Sequence, residues 1–161
     1  MINKTDFSET EWSAIVDAPQ MAGIAVMVAG ASGVIGSLKE AAAAAGTVFE
    51  GTSHANDLIR LISGKDEMKA AQERIRAAMG DFGDQDPSTW VRQQTVSTVQ
   101  RAVTILRAKS PEAAVVYKDW IMTIADKVAN AAKEGGFLGF GGERVSEKER
   151  EAIEQLRMAI G

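Results

Sequence analysis

Five helix starts can be read straight from this chain, and they leave little room for any other secondary structure. Ser8-Glu9-Thr10-Glu11, Ser37-Leu38-Lys39-Glu40 and Ser146-Glu147-Lys148-Glu149 all fit a capping box. In that pattern the serine hydroxyl accepts from the backbone N–H three residues on. The glutamate carboxylate reaches back to the serine's own N–H. Asp86-Pro87 and Ser110-Pro111 give a second signature, an N-cap followed by proline at the first helical position. Proline loses nothing there, because that N–H has no partner inside the helix.

The intervals between these starts carry helical spacing. A first helix is predicted from about Glu9 to Asp17, stopping before Pro19, and a second from Pro19 to about Ala31. A third follows Ser37 with the alanine run Ala41 to Ala45. A fourth covers about His54 to Ile62, and a fifth about Asp66 to Met79. The sixth begins at Pro87. Its β-branched stretch from Thr95 to Ile105 could suit a strand. Val96, Val99, Val103 and Leu106 recur at threes and fours instead, which selects helix. The seventh runs from Pro111 to about Glu134, with Ala113, Tyr117, Trp120, Ile124, Val128 and Ala131 as one apolar stripe. The last runs from Glu147 to about Ile160, with Ile153, Leu156 and Ile160 facing inward. The expectation is an all-α fold, a compact single-domain bundle of about seven or eight helices spanning 1–161. A faint duplication is visible. Pro19 and Pro111 each open a helix leading to a glycine break and then a Ser-x-x-Glu box.

Composition narrows the function classes. A net charge of −4 with no basic stripe argues against nucleic acid as a partner. The absence of cysteine removes disulfides, thiolate zinc sites, iron–sulfur clusters and cysteine nucleophiles. That usage, with acidic residues close to the N-terminus where a signal peptide would be basic and then apolar, gives a cytoplasmic expectation. Met21 to Leu38 holds 18 residues without a charge. Its four glycines and two serines favour a buried helix plus a turn over a membrane span.

The segment Glu134 to Glu149 is the clearest candidate for function. Five of the eight residues from Gly135 to Gly142 are glycine, interleaved with Phe137, Leu138 and Phe140. Such a loop is costly to order. It lacks the lysine and hydroxyl of a phosphate-binding P-loop and ends at Gly142-Glu143-Arg144, where a glutamate would repel phosphate. The plain reading is a helix connector whose phenylalanines fold onto the seventh helix. The functional reading is an interaction loop of Gly135, Gly136, Phe137, Leu138, Phe140 and Gly142, meeting a protein partner or a second copy. Glu143, Glu147 and Glu149 form the candidate metal group, a weak divalent site beside that loop; no other cofactor is implied. Acidic residues near a helix N-terminus are also favourable without a ligand. Asp81, Asp84 and Asp86 miss the spacing of a calcium loop, and Asp86 is better read as a helix cap. His54 is the only histidine, and no G-x-S-x-G elbow positions a serine, so no residue is assigned a catalytic role. Trp12, Trp90 and Trp120 read as core anchors.

The C-terminal stretch from Gly135 onward resembles the end of a group of uncharacterised bacterial helical proteins. It is also faintly similar to the tellurite-resistance TerB-like helical family. Val145, Ser146 and Glu149 match that family's hydrophobic residue, Ser/Thr cap and following glutamate, and Ile35, Ser37 and Glu40 match more loosely. Gly142-Glu143 and Ser32-Gly33 stand where the family carries Asp-Gly, among its proposed metal-binding groups. The resemblance implies an all-α bundle and a stress-related role. With no catalytic cluster in the sequence, the leading expectation is a non-enzymatic helical protein acting through protein contacts. The alternative is a divalent-metal or small-ligand binder using acidic residues near the glycine-rich loop.

Overall fold

The computed structural model describes residues 2–30, 56–79, 82–133 and 145–161, with backbone alone for 131–133. Among the described residues there are six α-helices and no strand: α1 (Glu9–Gly30), α2 (Asp57–Ile62), α3 (Lys65–Ala78), α4 (Pro87–Lys109), α5 (Pro111–Lys133) and α6 (Glu147–Ile160). A short 3₁₀ turn, Lys4–Asp6, precedes α1. The all-α expectation is met. The expected count of seven or eight is corrected for two reasons. The first two predicted helices are one, and the third, with its capping box at Ser37, lies outside the described residues.

The fusion of the first two helices has a local physical cause. Pro19 sits inside α1, where it has no N–H to give to the carbonyl of Ile15. The hydroxyl of Tyr117 on α5 donates to that carbonyl instead, at 2.6 Å, in a fully buried setting. The acceptor that proline strands is thus satisfied from another helix, and the chain continues through the proline. Burial pushes the Tyr117 phenol well above its ordinary pKa, and the negative charge of Asp17 adds to the effect. The phenol therefore stays protonated and able to donate. The same fact breaks the apparent duplication. Pro111 opens α5, whereas Pro19 lies in mid-helix.

α1 is the central element. It packs against α3, α4, α5 and α6, and Ala18 to Val26 are buried without interruption. A helix apolar on every side must be surrounded on every side. α1 is long and apolar enough to cross a membrane by length and composition, and 67% of that stretch is buried inside the bundle. Polar groups on this core helix find partners. Gln20, only 1% exposed, donates its amide to the Met68 carbonyl at 3.3 Å. The Thr95 hydroxyl of α4 donates to the Val91 carbonyl at 2.7 Å, with the Met21 carbonyl 3.2 Å away.

The outer helices start where the sequence places them. The Ser8 and Ser146 capping boxes are both formed. The Asp86 carboxylate accepts the Thr89 N–H at 3.0 Å, and Asn56 caps α2 by accepting from Leu58 and Ile59. Thr95 to Ile105 is helical, as its spacing requires, with Val99, Val103 and Leu106 fully buried. On α5, Ala113, Tyr117, Trp120, Ile124 and Val128 are buried as one stripe. α4 runs antiparallel to α1, since Thr95 lies at Met21 and Lys109 reaches Glu11. α6 also starts at the C-terminal end of α1, because Glu149 lies against Gly30.

Candidate functional site

The antiparallel arrangement brings three helix ends together. The C-terminal turns of α1, the N-terminal half of α4 and the stretch Lys148 to Leu156 of α6 border a cleft of about 640 Å³. Its apolar wall comes from Ala25, Val28 and Ala29 of α1, Val96 of α4, and Ala152 and Leu156 of α6. Its polar wall comes from Asp86, Ser88 and Arg92 on one side and Lys148, Glu151 and Gln155 on the other. Ligand sites in proteins commonly have about 300–1,000 Å³ and pair apolar surface with a few polar groups. The small residues on α1 leave the space open, since alanine at 25 and 29 projects only a methyl group toward it.

The charges around this cleft differ in how far they are committed. Asp86 is fully engaged as the cap of α4. Its carboxylate is held below the usual range by the Ser88 hydroxyl first and the Thr89 N–H next. Arg92, Lys148 and Glu151 form no ion pair or hydrogen bond among the described residues. All three are exposed. The cleft therefore offers charge and apolar surface without an aligned acid–base pair.

One wall is fixed by a close approach. Glu149 is 5% exposed, and one of its carboxylate oxygens accepts the Ser146 N–H at 2.6 Å. A Cβ placed on Gly30 would fall 2.7 Å from the Glu149 Cδ. A larger residue at 30 would push the Glu149 side chain out of its capping position. The segment 31–55 leaves the described structure at Gly30, and the segment 134–144 enters it at Val145. Both therefore join it beside the cleft.

The sequence-derived candidates distribute as follows. The interaction loop Gly135, Gly136, Phe137, Leu138, Phe140 and Gly142 lies outside the described residues, as do Glu143, His54 and Asp81. Glu147 is exposed on the first turn of α6. Glu149, two residues on, turns inward to its capping box. No group of three His, Cys, Asp or Glu residues among the described ones is placed to hold a metal ion. Trp12 donates its indole N–H to Glu67 at 2.8 Å, and Trp90 packs edge-on against Phe82 at 5.3 Å. Sequence reasoning did not find the cleft. No local pattern sets Arg92, Lys148, Glu151 and Gln155 apart, and only the tertiary packing shows that they share a concavity with Ala25 and Ala29. Compared with known proteins, the chain matches no family model, no curated protein and no solved structure.

Proposed function

We propose that this chain is a binding protein, and that the cleft between α1, α4 and α6 is where it holds a small ligand. The observation that carries the reading is the concavity itself. A space of about 640 Å³ has one apolar wall and one polar wall, in which Arg92, Lys148 and Glu151 make no ion pair or hydrogen bond among the described residues. Elsewhere on the bundle three ion pairs join separate elements: Arg74 with Asp17, Lys109 with Glu11, and Lys4 with Glu67. The test is a nuclear magnetic resonance titration of the folded chain with a library of small fragments. Shifts are expected to cluster at Ala25, Ala29, Arg92, Ala152 and Gln155, and to vanish in Ala29→Trp, which fills the space. Shifts scattered away from these residues, or unchanged by Ala29→Trp, overturn the reading.

The glycine-rich loop supports a second reading, in which Phe137 and Phe140 meet a protein partner or a second copy of the chain. The loop joins the described structure at Val145, the same end of the bundle as the cleft. Phe137→Ser and Phe140→Ser are expected to reduce self-association or partner capture while helical circular dichroism is retained. Unchanged association in both disposes of that reading. A TerB-like, stress-related role in the cytoplasm would rest on Val145, Ser146 and Glu149. The last two are here engaged in capping α6.

A further inference from the structure

We infer that α6 is the movable wall of the cleft: it pivots about its C-terminal end, and the Glu149 side chain, seated on Gly30, latches its N-terminal end to α1. The inference rests on the binding reading of the cleft and adds how the space opens. The two ends of α6 are held in different ways. At the C-terminal end, cations from two other helices grip its backbone. Arg107 of α4 donates to the Ile160 carbonyl at 3.0 Å and to the main-chain oxygen of Gly161 at 2.6 Å. Lys118 of α5 donates to the same Gly161 oxygen at 2.7 Å. Cationic donors suit the negative end of a helix. Leu156 and Ile160 are buried on this half, and Ile153 and Ala159 pack against the same core. Lifting this half would return large apolar side chains to water.

The N-terminal half carries less apolar weight. Among the described residues, its contacts with the core are the methyl of Ala152 and half-buried Val145, just ahead of the helix. Ala152 shares the cleft with Ala25 and Ala29, so small side chains border open space there instead of filling it. The remaining tie is polar. Glu149 is buried against Gly30, and one of its oxygens accepts the Ser146 N–H. It makes no ion pair among the described residues. A carboxylate buried without a cation is costly to keep from water. Outward movement of the first turns relieves that cost and widens the cleft, while Leu156 and Ile160 stay seated.

The chain has no cysteine, so paired spin labels can be placed without background. Glu73→Cys on α3 is the fixed reference, and Arg150→Cys and Met158→Cys report the two ends of α6; all three positions are exposed. Electron-spin distance measurements on the full chain are expected to give a broader distribution to position 150 than to position 158. Gly30→Ala sets a methyl group where the Glu149 carboxylate lies. It is expected to move the distance to 150 outward and leave the distance to 158 in place, with helical circular dichroism retained. Glu149→Ala, which removes the latch without crowding α1, should do the same. Ser146→Ala weakens the helix cap but leaves Glu149 beside Gly30, and it should leave the distance to 150 unchanged. Equal widths at both positions with no response to Gly30→Ala or Glu149→Ala overturn the pivot. Equal movement at both positions means that α6 detaches as a whole and also overturns it. A shift in Ser146→Ala as large as in Gly30→Ala assigns the movement to fraying and overturns the latch. The fragment titration with Ala29→Trp reads the cleft separately: fragments that still bind there beside a fixed α6 remove the pivot and keep the binding site.

Discussion

The two ends of this bundle use charge in opposite ways. Over the first half of α1, three ion pairs tie charges across elements. Lys4 pairs with Glu67, which also takes the Trp12 indole. Arg74 approaches both oxygens of Asp17, with Nε at 3.1 and 3.2 Å and Nη2 at 2.5 Å. Lys109 reaches Glu11 at 2.7 Å and the Asp6 carbonyl at 2.9 Å, and its ammonium lies 5.2 Å from the Phe7 ring centre. At the other end, Arg92, Lys148 and Glu151 surround a cleft and are tied to none of the described residues. Charges of the first kind fasten the N-terminal turn and α3 to the core. Charges of the second kind make no ion pair or hydrogen bond among the described residues, and the proposed ligand site rests on their placement around a concavity.

The comparison breaks most sharply at Tyr117. Tyr117→Phe strands the buried Ile15 carbonyl, and a loss of about 1–3 kcal/mol is expected in chemical denaturation. In a Pro19→Ala background the alanine N–H can serve that carbonyl within the helix. The Tyr117→Phe loss should then shrink, and a double-mutant cycle measures the coupling. Additive losses would show that the hydroxyl is not replacing the proline's missing donor.

A smaller effect is expected at Glu67, and it should appear in the pH dependence. Burial raises its carboxyl pKa, but hydrogen bonds from Lys4 and Trp12 outweigh this and hold it below the ordinary 4.5. A depressed folded-state pKa adds stability that is present above about 4.5 and is lost as pH falls through the folded value. Glu67→Gln should therefore melt lower at neutral pH and show a shallower acid-side fall. Asp17 acts in the other sense. Burial raises its carboxyl, and Arg74 pulls it down without restoring it, so acidification relieves the cost of its charge. A Glu67→Gln profile parallel to the parent's would remove Glu67 from the account.

The smallest effect belongs to the cleft end. Arg92→Gln and Lys148→Gln should each change stability by within about 0.5 kcal/mol, because both are exposed and support no neighbour. A larger loss in either would mean the rim charges serve the fold, and the contrast between the two ends would blur.

Much of the fold was legible because its signals are local. A capping box needs four residues, and Ser8 to Glu11 and Ser146 to Glu149 form theirs as the spacing requires. The β-branched stretch of α4 was assigned correctly because periodicity of threes and fours outweighs propensity when one face is buried. Pro19 was misread for the complementary reason. The proline rule describes an isolated helix, and nothing near Pro19 in the sequence shows that a tyrosine about a hundred residues later supplies the missing donor.

Local patterns were enough for the helical class, most helix starts and the apolar stripe of α5, since each depends on hydrogen bonds and side-chain spacing within one or two turns. Packing made α1 a single central helix, set Gly30 against the Glu149 side chain, and placed Ala25, Ala29, Arg92 and Lys148 around one cleft. Each of those depends on groups brought together from distant parts of the chain. Their meeting is set by packing α1 on all sides, which no local pattern encodes.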